Sequence, residues 1–354
     1  MRLERLILKN FRSYKQATHH FGLVTLLIAP NGSGKTNLLE AIYLIATGVS
    51  DRAGKIEEMI SWEAELGSVS GIVEDKEERR DLSVVLTRGM YMGKRTPKRR
   101  YLVDGVGRAR ATFVGHLPAT LFRPEDMRLL EGSPPRRRGY LDLSIGMAHP
   151  EYLRALSVYE ATLKRRNRLL DQIREGISKR AELSYWDQSL IKNGEILTNY
   201  RRSYIEHLND HVKVPFGEYR VEYKSSAISP ARLLQYADAE VAVGYTLVGP
   251  HKDDFVISTQ YTVHSTREYV DLITYGSRGE QRLGVLFLKI GGMEYLEEKR
   301  GVKSLLLLDD IFSELDQEHR AEVVRLMEGR QVIITSAEDE TTAYFGETAS
   351  IIRL

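Results

Sequence analysis

The sequence contains no cysteine. Disulfides, thiol nucleophiles, iron–sulfur clusters and cysteine zinc sites are therefore excluded together. Long apolar runs are missing too, since no uncharged stretch approaches the roughly 18 residues that a membrane-spanning helix needs. At the start of the chain Arg2, Glu4, Arg5 and Lys9 interrupt the apolar positions, so no secretory h-region forms. These absences point to a soluble, cytoplasmic protein without a membrane partner. Neither sign of charge dominates. Lys and Arg number 51 against 49 Asp and Glu, a formal net charge of +2, so a polyanionic partner must be argued from where the basic residues cluster. Repeats of fixed period and low-complexity segments are also lacking. The 354 residues are 42% hydrophobic and 28% charged, which suits a sizeable core and either two domains or one large domain with an insertion.

The apolar pattern divides the chain. Leu3, Leu6 and Leu8 lie in a short strand-like stretch, and Leu23–Ile28 is an unbroken apolar run fit for a buried strand. After a glycine-rich turn, Leu38, Leu39, Ala41, Ile42 and Ile45 recur at helical spacing, with Gly48 as the stop. Residues 69–105 carry short β-prone runs between charged turns, and Asp104-Gly105 signals a hairpin, together an antiparallel subsheet. From Pro150 to about Lys213 apolar residues recur every three to four positions with an interruption at Gly176 and Ser178, which predicts two antiparallel helices. Residues 241–354 return to α/β, with strands at 304–308 and 331–334 and helices at about 280–298 and 317–328. The expected organisation is an α/β head, residues 1–145 and 241–354, interrupted by a helical lobe, residues 146–240.

Ala29-Pro30-Asn31-Gly32-Ser33-Gly34-Lys35-Thr36 lies between the buried strand and the amphipathic helix. That strand–loop–helix context is what a phosphate-binding loop requires: small residues let backbone N–H groups curl round a polyphosphate at the positive end of the helix. Lys35 would reach the β- and γ-phosphates and the Thr36 hydroxyl would ligate Mg²⁺, so ATP and Mg²⁺ are the cofactors implied. Ala29 stands where the first glycine is usual, and its methyl fits if the residue keeps a negative φ. Leu305-Leu306-Leu307-Leu308 ends in Asp309 and Asp310. A doubly buried parallel strand reads as continuous apolar residues, and its C-terminal end is where active sites gather. Asp309 there suits Mg²⁺, and Asp310 could orient or deprotonate an attacking water; alone, the pair would read equally as an acidic helix cap. Ser277-Arg278-Gly279-Glu280-Gln281 opens a helix, and Ser277 with Glu280 fits both a capping box and an anion site. Ser313-Glu314-Leu315-Asp316 and Thr335-Ser336 follow in order.

That order resembles the ATP-binding-cassette ATPases: phosphate loop, signature, acidic strand end, D-loop, switch. The resemblance implies two heads dimerising head-to-tail in the presence of ATP, each Ser277 contacting the γ-phosphate held by the other subunit. About 240 residues separate Lys35 from Ser277, room for only a stub where SMC proteins carry a long coiled coil. Three segments narrow the family. Leu8-Lys9-Asn10-Phe11-Arg12-Ser13-Tyr14 resembles the start of SMC-like repair ATPases and adds Arg12 to the nucleotide-site candidates. Pro124-Glu125-Asp126-Met127 with Gly132–Asp142, and Gly249-Pro250-His251-Lys252-Asp253-Asp254, are similar to two signature segments of the bacterial RecF proteins. Departures are Ala29, Lys252 and Gly139. The resemblance implies an ABC-type head with a mixed sheet, a weak DNA-stimulated ATPase, recognition of gapped DNA at single-strand–duplex junctions, RecO- and RecR-type partners, and help in loading RecA onto strands coated by single-strand-binding protein.

The residues themselves support DNA contact. Lys94, Arg95, Lys98, Arg99 and Arg100 cluster in one loop, Arg136, Arg137 and Arg138 in another, and Lys164, Arg165, Arg166 and Arg168 on the helical lobe. Such clusters neutralise phosphates without reading sequence, or else are ordinary solvated faces. Tyr91 and Tyr101 could stack on unpaired bases or pack the strands. His207 and His211 stand four apart and could pair at a metal, though a polar helix face explains them as well. His251 belongs to a loop expected near the ATP site or the lobe junction. A transporter's nucleotide-binding subunit is the rival reading, but Asp310 and Ser336 stand where Glu and His are usual there. A nuclease-fused ATPase would need a further metal–carboxylate domain, and only about 45 residues follow Asp309. A DNA clamp in which ATP only gates dimerisation differs from the main reading in emphasis.

Overall fold

The computed structural model describes residues 1–354 except Asn31, 76–77, 264–265, 312–316 and 337–348; at Met127, 262–263, 266–267 and 317–319 only the backbone is described. In chain order the first part comprises β1 (Arg2–Phe11), β2 (Tyr14–His20), β3 (Val24–Ile28), α1 (Lys35–Thr47), β4 (Leu66–Asp75) and β5 (Glu78–Thr87). A small ribbon, β6 (Met90–Tyr91) and β7 (Lys94–Arg95), precedes β8 (Arg99–Val103), β9 (Val106–Arg108), α2 (Arg110–Phe113) and β10 (Ala119–Phe122). Then come α3 (Arg128–Glu131), α4 (Pro134–Ala148), α5 (Pro150–Arg174), α6 (Leu183–His211), β11 (Tyr219–Lys224) and α7 (Pro230–Val243). The rest is β12 (Asp254–Val263), β13 (Thr266–Asp271), α8 (Leu272–Tyr275), α9 (Arg278–Arg300), β14 (Leu305–Asp309), α10 (Gln317–Leu326), β15 (Val332–Ser336) and β16 (Ser350–Arg353).

The chain divides into two compact units, Met1–Asp126 with Leu296–Leu354, and Met127–Tyr295. The boundaries expected at 145/146 and 240/241 both fall inside the second unit, because α4 packs on α5 and α6, and the sheet of β11, β12 and β13 packs on these helices. In the first unit, β2-β1-β4-β5-β8-β9 form an antiparallel sheet, and β10-β14-β15-β3-β16 a parallel one. The antiparallel sheet is wider than residues 69–105 suggested, since β1 and β2 join it. Helix α1 touches both sheets and buries eleven of its residues, which is why its apolar positions run all round the cylinder. Gly71 lets α1 approach β4: a Cβ there would sit 2.4 Å from Ile45 Cδ1. Gln331 joins the sheets, its side chain bonding Leu3 N, Leu3 O and Gly22 O at 2.7–2.9 Å. Asp104 and Gly105 both take positive φ, as the hairpin between β8 and β9 requires.

In the second unit α5 and α6 form the expected antiparallel pair, and Leu169, Leu170 and Leu183 seal its tip. The motif Pro134–Asp142 starts α4, and α7 and β11–β13 are elements the periodicity did not reveal. Among the described residues, no helix is long and apolar enough to cross a membrane.

Candidate functional site

In the first unit the phosphate loop follows β3, and its parallel neighbours β15 and β14 end in Thr335-Ser336 and Asp309. Register aligns Asp309 with Thr335 and Ser336 with Ile28, so the loop and the carboxylates meet at the C-terminal edge of one sheet. The amide of Ala29 donates to Ser336 O at 3.4 Å, and Ala29 avoids positive φ, as its methyl demands. Gly34 does take φ +106 at the N-cap of α1; a Cβ there would lie 3.0 Å from the Tyr14 hydroxyl. That cap carries no side-chain hydrogen bond and the first turn no acid, so the helix's N-terminal dipole end is uncompensated. Lys35 is buried and donates from Nζ to the carbonyls of Ala29 and Pro30, while the buried Ser33 Oγ has no hydrogen-bond partner. A polyphosphate fits this set: an open helix end, a cation held at the loop, and an orphaned hydroxyl. Asn31 lies outside the described residues; Gly32 takes φ +84, and Thr36 follows Lys35 in the first turn of α1.

Asp309 is buried, and Thr335 Oγ1 donates to its Oδ1 at 2.7 Å. Burial pushes the Asp309 carboxyl above its ordinary range, opposed by that hydroxyl and helped by the charges of Asp310, Glu125 and Asp51. The Asp310 N–H donates to the same Thr335 oxygen at 3.0 Å, and Asp310 takes φ +47, a strained conformation of the kind that clusters at functional sites. Hard oxygens from Asp309 and Thr36 suit Mg²⁺, which usually takes only one or two protein ligands beside phosphate and water. Among the described residues, no group of three His, Asp or Glu could hold a metal, and His207 and His211 instead stack ring on ring at 4.9 Å.

Several expected site residues have partners that sequence could not reveal. Arg12 forks onto the buried Glu40 at 2.7 and 2.9 Å and reaches the Glu58 carbonyl, an arrangement that ties the β1–β2 turn to α1. In the second unit Ser277 and Glu280 form the predicted capping box, Ser277 N to Glu280 Oε2 at 2.7 Å and Glu280 N to Ser277 Oγ at 3.3 Å, and Ser277 and Gly279 are exposed. The Gln281 amide nitrogen, by contrast, donates to the carbonyls of Leu272, Ile273 and Gly276, so it braces the preceding turn. Ser313–Asp316 lies outside the described residues.

The basic clusters separate by exposure. Lys94, Arg95, Arg100, Arg136, Lys164, Arg165 and Arg168 are exposed, Arg165 lying over the Trp186 ring, and Lys98 pairs with Glu57. Arg166 is a correction: at 2% exposure it bonds Asp187, Glu240 and Thr246 between α5, α6 and α7, so it cannot meet a DNA phosphate. Arg137 is another, buried and bidentate to Asp254 at 2.6 and 2.8 Å. Arg99 bonds the Gly48 carbonyl, and Arg138 that of Asp253. Tyr101 packs on Phe113 with its hydroxyl on Gly48 O.

The two long motifs thus dock on each other. Arg201, unnoticed in the sequence because it sits in an ordinary charged helix, is their buried junction: it bonds Asp142, Asp253, Pro250 O and the Tyr152 hydroxyl at 2.7–3.0 Å. His251 accepts from Tyr159 at Nδ1 and donates from Nε2 to Thr246 O, and burial lowers its pKa to about 4. These contacts place it within the second unit.

A family model described as the RecF/RecN/SMC N-terminal domain matches residues 2–353. The chain is 34% identical to the DNA replication and repair protein RecF of Moorella thermoacetica, over 95% of this chain and 90% of that one. Identity is 36% with RecF of Chloroflexus aurantiacus, over 96% and 94%. A solved structure of the recombination mediator protein RecF with ATP, from the RecFOR pathway, superposes with a TM-score of 0.84 at 29% identity, over 95% of this chain and 92% of that one. An Smc head bound to the C-winged helix domain of ScpA shares the fold at TM-score 0.50 and 18% identity, over 99% and 93%.

Proposed function

The chain belongs to the RecF family of DNA replication and repair proteins, and on that premise we propose that it is an ATP-dependent DNA-binding protein whose slow ATPase works as a dimerisation switch. One observation carries the reading: the phosphate loop, Asp309 and Asp310 converge at the ends of three adjacent parallel strands.

In the proposed site, the free N–H groups at the start of α1 and the Ser33 hydroxyl take phosphate oxygens, and Lys35 turns from the loop carbonyls to the β/γ bridge. Thr36 and Asp309 would hold Mg²⁺, which when bound neutralises charge on the transferred phosphoryl group. Asp310 orients the attacking water and accepts its proton as the new P–O bond forms and the bond to ADP breaks. Ser277 and Gly279, exposed at the start of α9, meet the γ-phosphate held by a second copy, which makes two composite sites per dimer. Arg12, bound to Glu40 beside α1, positions the loop's flank; Gln281 braces the signature turn.

Exposed Lys94, Arg95, Arg100, Arg136, Lys164, Arg165 and Arg168 would supply phosphate contacts without sequence preference, suited to gapped DNA and single-strand–duplex junctions. The RecFOR pathway named for the ATP-bound relative supports RecO- and RecR-type partners, a role in RecA loading and a cytoplasmic site of action. A mixing experiment tests the mechanism. Lys35→Met and Ser277→Arg subunits should each be inactive, and combining them assembles one composite site with neither defect, so ATPase activity partly returns. No recovery, together with no ATP-dependent dimer of the wild type in light scattering, would overturn the head-to-tail reading.

A further inference from the structure

Trp62 is 98% exposed, the most exposed large apolar side chain among the described residues. It stands at a cleft of about 600 Å³ in the first unit, which Tyr91 of the β6–β7 ribbon also lines. A fully solvated indole contributes nothing to folding by burial and leaves its face open to a stacking partner. The frame that displays it is built. Ser61 N–H donates to Asn10 O and Ser61 Oγ to Arg12 O at 3.0 and 2.8 Å, and Arg88 bonds the carbonyls of Ala64 and Ser61. The β6–β7 ribbon turns through Met92 and Gly93, both at positive φ, and carries exposed Lys94 paired across from Tyr91 and exposed Arg95 next to it.

Size and charge choose the occupant. A cleft of about 600 Å³ falls in the range of small-molecule sites, large enough for one flat aromatic group with an attached phosphate. Lys15 pairs with Glu63 at 3.5 Å, which cancels one of the two acids of the wall and leaves Glu65, against the two cations of the ribbon. Two aromatic faces with cations at the rim are the elements of a single-strand stacking platform. We propose that this cleft takes one unpaired base of a DNA strand, stacked on Trp62 and Tyr91, with the adjoining phosphate on Lys94 and Arg95. Ser13, also in the cleft's lining, touches the first turn of α1, accepting from Asn37 Nδ2 at 3.1 Å. The inference rests on the DNA-binding reading above but assigns a site that the basic clusters alone do not.

Trp62 is one of two tryptophans, so the part of an emission change that Trp62→Phe removes reports the site. Full-length protein is titrated with single-stranded oligo(dT), with duplex of equal length, and with ATP–Mg²⁺, at several salt concentrations. Single strands should quench the emission, and Trp62→Ala should weaken their binding roughly 5- to 50-fold, while Trp62→Phe, which keeps a stacking face, restores most of it. The salt slope should stay unchanged in Trp62→Ala, because stacking releases no counterions, and should fall in a Lys94→Ala, Arg95→Ala double variant. Duplex affinity should not depend on Trp62. Equal single-strand affinity in wild type, Trp62→Ala and Tyr91→Ala would overturn the proposal, as would quenching by ATP alone. A chain that binds no DNA at all would instead remove the DNA-binding reading beneath it.

Discussion

Replacing Thr335 with valine removes one hydroxyl and two hydrogen bonds at the junction of both carboxylates. That hydroxyl donates to Asp309 Oδ1 at 2.7 Å and accepts from the Asp310 N–H at 3.0 Å, in a residue only 2% exposed. A hydrogen bond to a charged group contributes about 1.5–3 kcal/mol, and a buried N–H left unpaired costs about 1–3 kcal/mol. The two share one oxygen and do not add fully, so Thr335→Val should destabilise by about 2–4 kcal/mol. The sign of the pH dependence follows from the carboxyl. The Thr335 bond favours ionised Asp309, so its contribution is present above the Asp309 pKa and fades as pH falls through it. At neutral pH the melting temperature should drop by several degrees, at about 2–4 °C per kcal/mol for a unit of this size, and by less in acid. Nucleotide binding should need more Mg²⁺ for half-saturation, and Thr335→Ser should return both readouts toward wild type. An unchanged melting temperature and Mg²⁺ requirement in the valine variant would refute the assigned role of the hydroxyl.

Three further outcomes follow from buried charge. Arg201→Met should destabilise the second unit by about 3–5 kcal/mol, because it leaves the fully buried Asp253 without its cation; urea denaturation measures it. Arg136→Ala should lower the slope of log K against log salt by up to about 1, whereas Arg137→Ala should leave that slope alone and lower stability, since Arg137 is committed to Asp254. His251 titrates near 4 when folded against about 6.5 unfolded, so the unfolded chain binds the extra proton: stability is full above about pH 6.5 and declines by up to about 3 kcal/mol as pH falls toward 4. Acid melts of His251→Gln should be flatter over that window.

Much of the nucleotide site was legible because its signals are local. Glycines at fixed offsets and an apolar run ending in Asp309 are properties of contiguous residues, and the parallel register that brings Thr335 beside Asp309 follows once both are recognised as neighbouring strands. Helices α1, α5 and α6 were legible for the same reason, since one apolar period specifies each. What escaped depends on pairing across long separations. Arg137 and Asp254 lie 117 residues apart and Arg201 and Asp253 lie 52 apart, so a run of arginines read as a DNA-facing cluster contains its own core anchors. Arg166, flanked by Arg165 and Arg168, differs from them only in which side of α5 it occupies. Strands β11–β13 went unread although Tyr219, Val221 and Tyr223 alternate with Arg220, Glu222 and Lys224, because β11 is short and α7 separates it in sequence from its partner β12.

The most direct test of the account is binding of the full chain to a gapped duplex with and without ATP–Mg²⁺, measured side by side for wild type, Lys35→Met and Asp310→Asn. ATP should tighten wild-type binding, Lys35→Met should gain nothing because the β/γ-phosphates lose their cation, and Asp310→Asn should hold the tightened state longest because it binds ATP but lacks the base. Nucleotide affinity unchanged in Lys35→Met, or DNA binding indifferent to ATP in all three proteins, would contradict it.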